Sequence, residues 1–257
     1  MAPAADAWRA RPFGGALQDL EVDFAQADRP ALITAALRCC VATDGEDVWG
    51  WTLDRRVRAL LAVIRAGAGD RLTWPARCLE GTCGREMELE LSVEQLLSTP
   101  EPAAEFCCSP APEQMLELRL ATGADQRRWR ATAEPGGHDL VSLLATSLVR
   151  AVNGEHPPPG WMLPREWLPG LDAAFGEHDP LGSLELRVAC PWCGAQSLLE
   201  PDLEALALSY LALEQRRVLE QVHQLARAYH WTEAQVLAVP PRRRALYLAR
   251  ACGETAP

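Results

Sequence analysis

The chain has 257 residues, enough to bury a core as one large domain or two ordinary ones, and its 48% hydrophobic and 23% charged residues are those of a globular protein rather than a disordered one. All 25 basic residues are arginine, which with abundant Ala, Leu, Pro and Gly points to a GC-rich bacterial genome; the formal net charge of −10 disfavours general binding to phosphate backbones. No apolar run approaches the roughly 18 residues that cross a bilayer, and Asp6, Asp19, Glu21 and Asp23 make residues 1–24 a poor secretory signal, so a cytoplasmic protein is expected.

Segment 1–52 carries one expected helix, over 30–40, from the spacing of Leu32, Ile33, Ala36 and Leu37, followed by a loop over 42–50. Segment 53–98 opens with a helix over 53–65. Val57, Leu60, Leu61 and Ile64 form its apolar stripe opposite Arg55, Arg56 and Arg58; Asp54 suits its first turn, and Gly67 and Gly69 end it. A strand over 73–76 leads to Cys78 and Cys83, and Met87, Leu89 and Leu91 alternating with glutamates mark a second strand over 86–91. Ser92 and Gln95, at capping-box spacing, start a helix over 92–97.

The 99–183 insertion begins with Pro100, Pro102, Pro110 and Pro112, which read as a loop over 99–112. A strand over 115–120 follows, with Leu116, Leu118 and Leu120 on one side. A helix over 139–152 has Leu140, Leu143, Leu144, Leu148 and Val152 on its apolar face. Prolines break the chain at 156–160, and a short helix is expected over 167–175. In segment 184–257 a strand over 184–188 delivers the chain to Cys190 and Cys193. The helix over 202–229 is the strongest, with Leu206, Tyr210, Leu213, Val218, Val222, Leu225 and Tyr229 at three- and four-residue steps. Thr232 and Gln235 form a capping box, and a last helix covers 242–251.

The nine cysteines carry the clearest chemistry. Cytosolic cysteines are normally reduced, so close pairs point to metal before disulfide. Cys190-Pro191-Trp192-Cys193-Gly194 has the two-residue spacing of a zinc knuckle, and Cys78 with Cys83 is a longer version in which Gly81 allows the extra bend. Each pair is flanked by a strand on either side and then by a helix start, so two similar knuckles facing each other would make a four-cysteine zinc ribbon. The expected fold class is therefore α+β, with Cys78, Cys83, Cys190 and Cys193 holding a structural Zn2+, flanking helices and a C-terminal helical segment. Four thiolates leave no position for water, so the site would be structural rather than hydrolytic. Two other readings remain: a redox Cys-x-x-Cys, whose strand–motif–helix context is missing here, and unliganded core cysteines.

Cys39-Cys40 and Cys107-Cys108 read as small apolar fillers, since neighbours rarely face one metal. His138, His156, His178, His223 and His230 form no spaced ligand pair, and no Gly-x-Ser-x-Gly elbow occurs, so no enzyme is expected. Arg242-Arg243-Arg244 reads as an exposed basic face of the last helix, or as a small nucleic-acid patch. Of the nine tryptophans, Trp49, Trp51, Trp74, Trp161, Trp167, Trp192 and Trp231 lie near turns and element ends, where they anchor a core or a contact surface.

The stretch from Leu219 to Val239, with Val222-His223, Leu225-Ala226, Tyr229, Trp231, Glu233 and Leu237-Ala238, followed by Arg243-Arg244-Ala245-Leu246-Tyr247-Leu248, resembles a bacterial phage-related family similar to the T-even-phage baseplate hub assembly proteins. Leu53-Asp54-Arg55-Arg56, Leu60-Leu61, Glu88-Leu89-Glu90-Leu91 and the second cysteine pair extend the resemblance; relatives commonly carry Cys-x-x-Cys at the first pair, where this chain has two more residues. The resemblance implies an assembly factor or chaperone for a phage tail or phage-tail-like contractile injection system. Its partners would be baseplate, hub, spike or other tail proteins; no membrane partner is expected, and the acidic charge disfavours nucleic acid. A zinc-ribbon nucleic-acid-binding regulator and a minor structural component of the particle are the alternatives.

Overall fold

The computed structural model describes residues 9–132 and 140–251. His138, Asp139 at the expected helix start, Cys252 and the first eight residues of the chain lie outside them. The architecture is α+β, with helices around small antiparallel sheets.

The larger core is helical. After a short turn of helix, α1 (Leu17–Leu20), comes α2 (Arg29–Cys40), started by the Asp28 carboxylate accepting from the Ala31 amide with Pro30 in its first turn. It buries Leu32, Ile33, Ala36 and Leu37 against α3 (Leu53–Ala68). Thr52 caps α3, and Gly69, at φ 84°, closes it, so Gly67 is inside the helix rather than at its end. Across α3 lies α8 (Leu203–Tyr229), capped by Asp202, which contributes Leu203, Ala207, Leu208 and Leu211 to the same core. Tyr210 packs only at the edge of that core, and Leu213 is 64% exposed. The buried stripe over the first half of α8 is thus rotated from the expected one, because three- and four-residue steps fit more than one face of so leucine-rich a helix.

The arginines of α3 depart from expectation. Arg56 and Arg58 are buried, not solvated. The Arg56 guanidinium donates to the carbonyls of Pro30 (2.8 Å) and Val48 (3.1 Å) and to Thr34 Oγ1 (3.1 Å). Arg58 Nε donates to Asp54 Oδ2 at 2.6 Å, and its other nitrogens reach the carbonyls of Thr99 (2.8 Å) and Pro100 (2.9 Å). Arg56 reaches carbonyls at the start of α2 and in the turn at Val48, and Arg58 reaches the loop carbonyls of Thr99 and Pro100, so burial carries its own compensation.

Two hairpins rise from this core. In the first, β1 (Arg71–Arg77) pairs antiparallel with β2 (Glu86–Ser92), which runs into α4 (Val93–Ser98) with Ser92 as its cap. In the second, β6 (Leu186–Ala189) pairs with β7 (Gln196–Leu199), which leads into α8. Leu72, Leu91 and Val93 root the first hairpin in the helical core; Leu184, Leu186 and Leu203 root the second.

The insertion builds its own core around Phe106, Leu116, Leu118, Leu120, Val149, Leu163 and Leu171. Its sheet has the order β3 (Glu105–Ala111), β4 (Gln114–Arg119), β5 (Val149–Val152), flanked by α5 (Gly123–Thr132), α6 (Leu140–Thr146) and α7 (Leu168–His178). The proline-rich stretch expected to be a loop contains β3. That strand is at an edge, where Pro110 costs no ladder bond. The helix expected over 139–152 stops at Thr146: the Ser147 Oγ and amide turn back onto Leu144, and the β-branched Val149 and Val152 pair with β4 instead. After α8 come α9 (Glu233–Ala238), with the Thr232–Gln235 capping box formed in both directions, and α10 (Pro241–Ala251).

Candidate metal centre

The two hairpins end in turns built on one plan. Each first cysteine donates its amide across the hairpin to the residue after the turn glycine: Cys78 to Arg85 and Cys190 to Ala195, both at 2.9 Å. Each glycine takes positive φ, 56° at Gly84 and 73° at Gly194, a conformation that suits a residue without Cβ. The Gly194 amide then bonds back to the Cys190 carbonyl (2.9 Å), whereas the Gly84 amide bonds to Glu80 (3.0 Å). Glu80 therefore occupies the backbone position of Cys190, and the extra residues of the first turn are absorbed just after Cys78 as a loop in which Leu79 is 66% exposed. The longer spacing leaves the turn intact.

These turns bring together all four expected ligands. The sulfurs of Cys78, Cys83, Cys190 and Cys193 lie within 4.8 Å of one another and could hold a metal ion. Across the hairpins, Cys78 Sγ is 3.7 Å from Cys193 Sγ and Cys83 Sγ is 3.9 Å from Cys190 Sγ, far beyond the ~2.05 Å of a disulfide bond. Cys78 and Cys190 are buried, Cys83 is half-buried and Cys193 is exposed. Backbone amides face the sulfurs. The Cys193 amide, against the opposing effect of burial, and then the Trp192 amide pull the Cys190 thiol down to about 7. At Cys78 the Glu80 amide acts in the same direction, but burial and the three neighbouring thiols prevail and push it up to about 12. Behind the sulfurs, Ala76, Met87 and Leu199 form a small apolar cluster flanked by Trp74, Leu89 and Val188, joining the hairpins side by side.

The other described cysteines stay apart from this centre. Cys40 is buried, and burial first, then the charge of Asp19, raises its thiol to about 12. Cys107, expected as an apolar filler, is instead exposed on β3, because alternation along an edge strand turns it outward opposite Phe106. His178 stacks on Phe106 with ring centroids 4.2 Å apart, and His230 closes α8 in the left-handed conformation at φ 56°. Arg242 and Arg243 are exposed on α10, but Arg244 is buried, which removes one of three charges from the expected basic face.

No family model, curated protein or solved structure matches this chain. No described helix is long and apolar enough to cross a membrane. Sequence patterning found all four members of the cysteine cluster. It missed the buried polar groups, Arg56, Arg58 and Arg244, which carry no local signal beyond being arginine within amphipathic helices.

Proposed function

We propose that the four cysteines bind Zn2+ as a structural clip, and that the chain is a non-catalytic cytoplasmic assembly factor or chaperone for the baseplate or hub of a phage tail or phage-tail-like contractile injection system. The observation that carries the metal reading is the spacing of the sulfurs. Four ligands at the zinc–thiolate distance of about 2.3 Å around a tetrahedral ion lie about 3.8 Å from one another, and the two cross-hairpin separations are 3.7 and 3.9 Å. A redox role for Cys190 and Cys193 is disfavoured by their place on a turn between strands, away from any helix N-terminus.

With every coordination position filled by thiolate, such an ion holds two hairpins together and activates no water. Function then resides in protein contacts. The assembly reading rests on the motif running from Leu219 through Val239 into Arg243-Arg244 and Tyr247-Leu248. Within it, Tyr229, Trp231 and Tyr247 pack into one aromatic cluster (centroids 5.0–5.8 Å apart) that fixes α9 and α10 against the end of α8. Exposed Leu213, Leu219 and Leu246 lie along the same helices as candidate contact positions for a tail protein.

The test is affinity purification from the native operon, with metal analysis of the same reduced, chelator-free sample. Recovery of hub, spike or baseplate proteins with about one zinc per chain is expected. Recovery of no tail protein would remove the assembly reading, and less than about half an equivalent of zinc would remove the metal one.

A further inference from the structure

Arg244 opens a second site, independent of the cysteines and of the assembly reading. Only 3% of this residue is exposed, yet Nε and Nη1 have no hydrogen-bond partner among the described residues. Burying a guanidinium without hydrogen bonds is costly, because its charge loses water, and the charge of nearby Glu214 offsets that only in part. Arg244 lines a cavity of about 410 Å3 between the N-terminal loop around Phe13 and the helices α8 and α10.

The other charges on the cavity wall are already engaged. Arg11 forms a two-pronged pair with the buried Asp19 (2.6 and 2.7 Å), whose carboxylate also accepts from the amides of Gly14, Gly15 and Ala16. Glu214 is met by Arg217 at 3.5 Å. One positive charge is left over, that of Arg244. The rest of the wall is largely apolar, including Pro12, Phe13, Val218 and Ala245. The loop is held close to α8 at Gly14, where an added Cβ would lie 2.8 Å from a Val218 methyl.

We propose that this cavity binds a monocarboxylate carried on a short apolar group, with Arg244 as its ionic anchor. A single guanidinium with free hydrogen-bond donors matches one carboxylate in charge and in its planar fork of donors, and the apolar wall accepts the stem. A dianion such as phosphate would leave one charge uncompensated beside Glu214. The carboxylate could belong to a free small acid or to the C-terminal residue of a peptide.

The experiment is titration calorimetry with thermal-shift readout on the full chain, using butyrate, inorganic phosphate, a short N-acetylated peptide ending in leucine, and the same peptide as its C-terminal amide. Butyrate or the free-acid peptide should bind and raise Tm, phosphate and the amide should not, and the tighter of the first two identifies the source. Arg244→Met should remain folded, since it removes an unpaired buried charge, and should weaken binding at least tenfold, the loss expected of a charge-assisted bond to a buried group. Glu214→Gln should tighten binding by removing a competing anion, a change that a purely structural Arg244 would not produce. Absence of binding by both carboxylates at tens of millimolar, or equal binding by wild type and Arg244→Met, overturns the proposal.

Discussion

Removing the metal should open the hairpin tips and leave the helical core closed. The reasoning begins with what the tips have without it. A two-stranded hairpin is marginal in water, and here the shared apolar cluster has only Ala76, Met87 and Leu199 fully buried, which contributes about 5 kcal/mol at about 2 kcal/mol per large side chain. Ordering the tip backbone over 76–87 and 188–197 costs about 1–2 kcal/mol per residue, so contacts alone fall well short. A structural zinc supplies about 10–16 kcal/mol. Hydrogen exchange followed by mass spectrometry, on zinc-loaded and chelated protein, reads this directly. Protection over 76–87 and 188–197 should fall by at least about a thousandfold, the equivalent of about 4 kcal/mol, while amides of Leu60, Leu61 and Ile64 in α3 keep theirs. Cys190→Ser should reproduce the chelated pattern, and Cys107→Ser, exposed on another sheet, should match wild type. Equal protection with and without zinc, or full zinc retention by Cys190→Ser, would refute the clip.

Three further outcomes follow from the buried polar groups. A Cβ at Gly123 would lie 2.7 Å from Arg56 Cζ, which three hydrogen bonds hold in place, so Gly123→Ala should cost about 1–3 kcal/mol and lower Tm by about 3–10 °C in thermal denaturation. At Asp125, burial opposes the charge, but Arg119 and the Thr122 amide and hydroxyl hold its carboxyl well below the usual carboxylate range. With the folded value below the unfolded one of about 3.9, its contribution is complete above about pH 4 and is lost as pH falls toward the folded value. Asp125→Asn should therefore cost about 3 kcal/mol in urea unfolding at neutral pH and progressively less in acid; a pH-independent difference would remove this account. Gln215 Nε2 lies 2.8–3.2 Å from the carbonyls of Asp19, Leu20 and Val22, so Gln215→Ala should speed limited proteolysis within 14–27 while sites on α8 stay protected.

What was legible in the sequence is what local chemistry dictates. The caps at Ser92 and Thr232, the alternation of Leu116 and Leu118, and the pairing of each cysteine turn with flanking strands all act within a few residues, and each appears where expected. The errors lie where a distant partner decides. Ser147 ends α6 one turn after Leu143, but the strand that follows exists because β4 offers an unpaired edge, which nothing within 139–152 encodes. Pro110 is compatible with β3 only because that strand has no neighbour on one side.

The arginines make the same point about function. In a chain whose basic residues are all arginine, a hydrophobic pattern treats Arg56, Arg58 and Arg244 alike, as the solvated side of a helix. Their fates depend on what faces them: the Pro30 and Val48 carbonyls for Arg56, Asp54 and the Thr99–Pro100 carbonyls for Arg58, and for Arg244 a cavity in which Nε and Nη1 find no hydrogen-bond partner among the described residues. The first two explain themselves as structure, because every donor they bury is matched by a carbonyl or carboxylate, save Arg56 Nε. Arg244 does not. A buried guanidinium with no hydrogen-bond partner for Nε and Nη1 among the described residues is the observation that separates a binding position from a structural one, and Arg244→Met measures the difference: a gain in unliganded stability together with a loss of carboxylate binding.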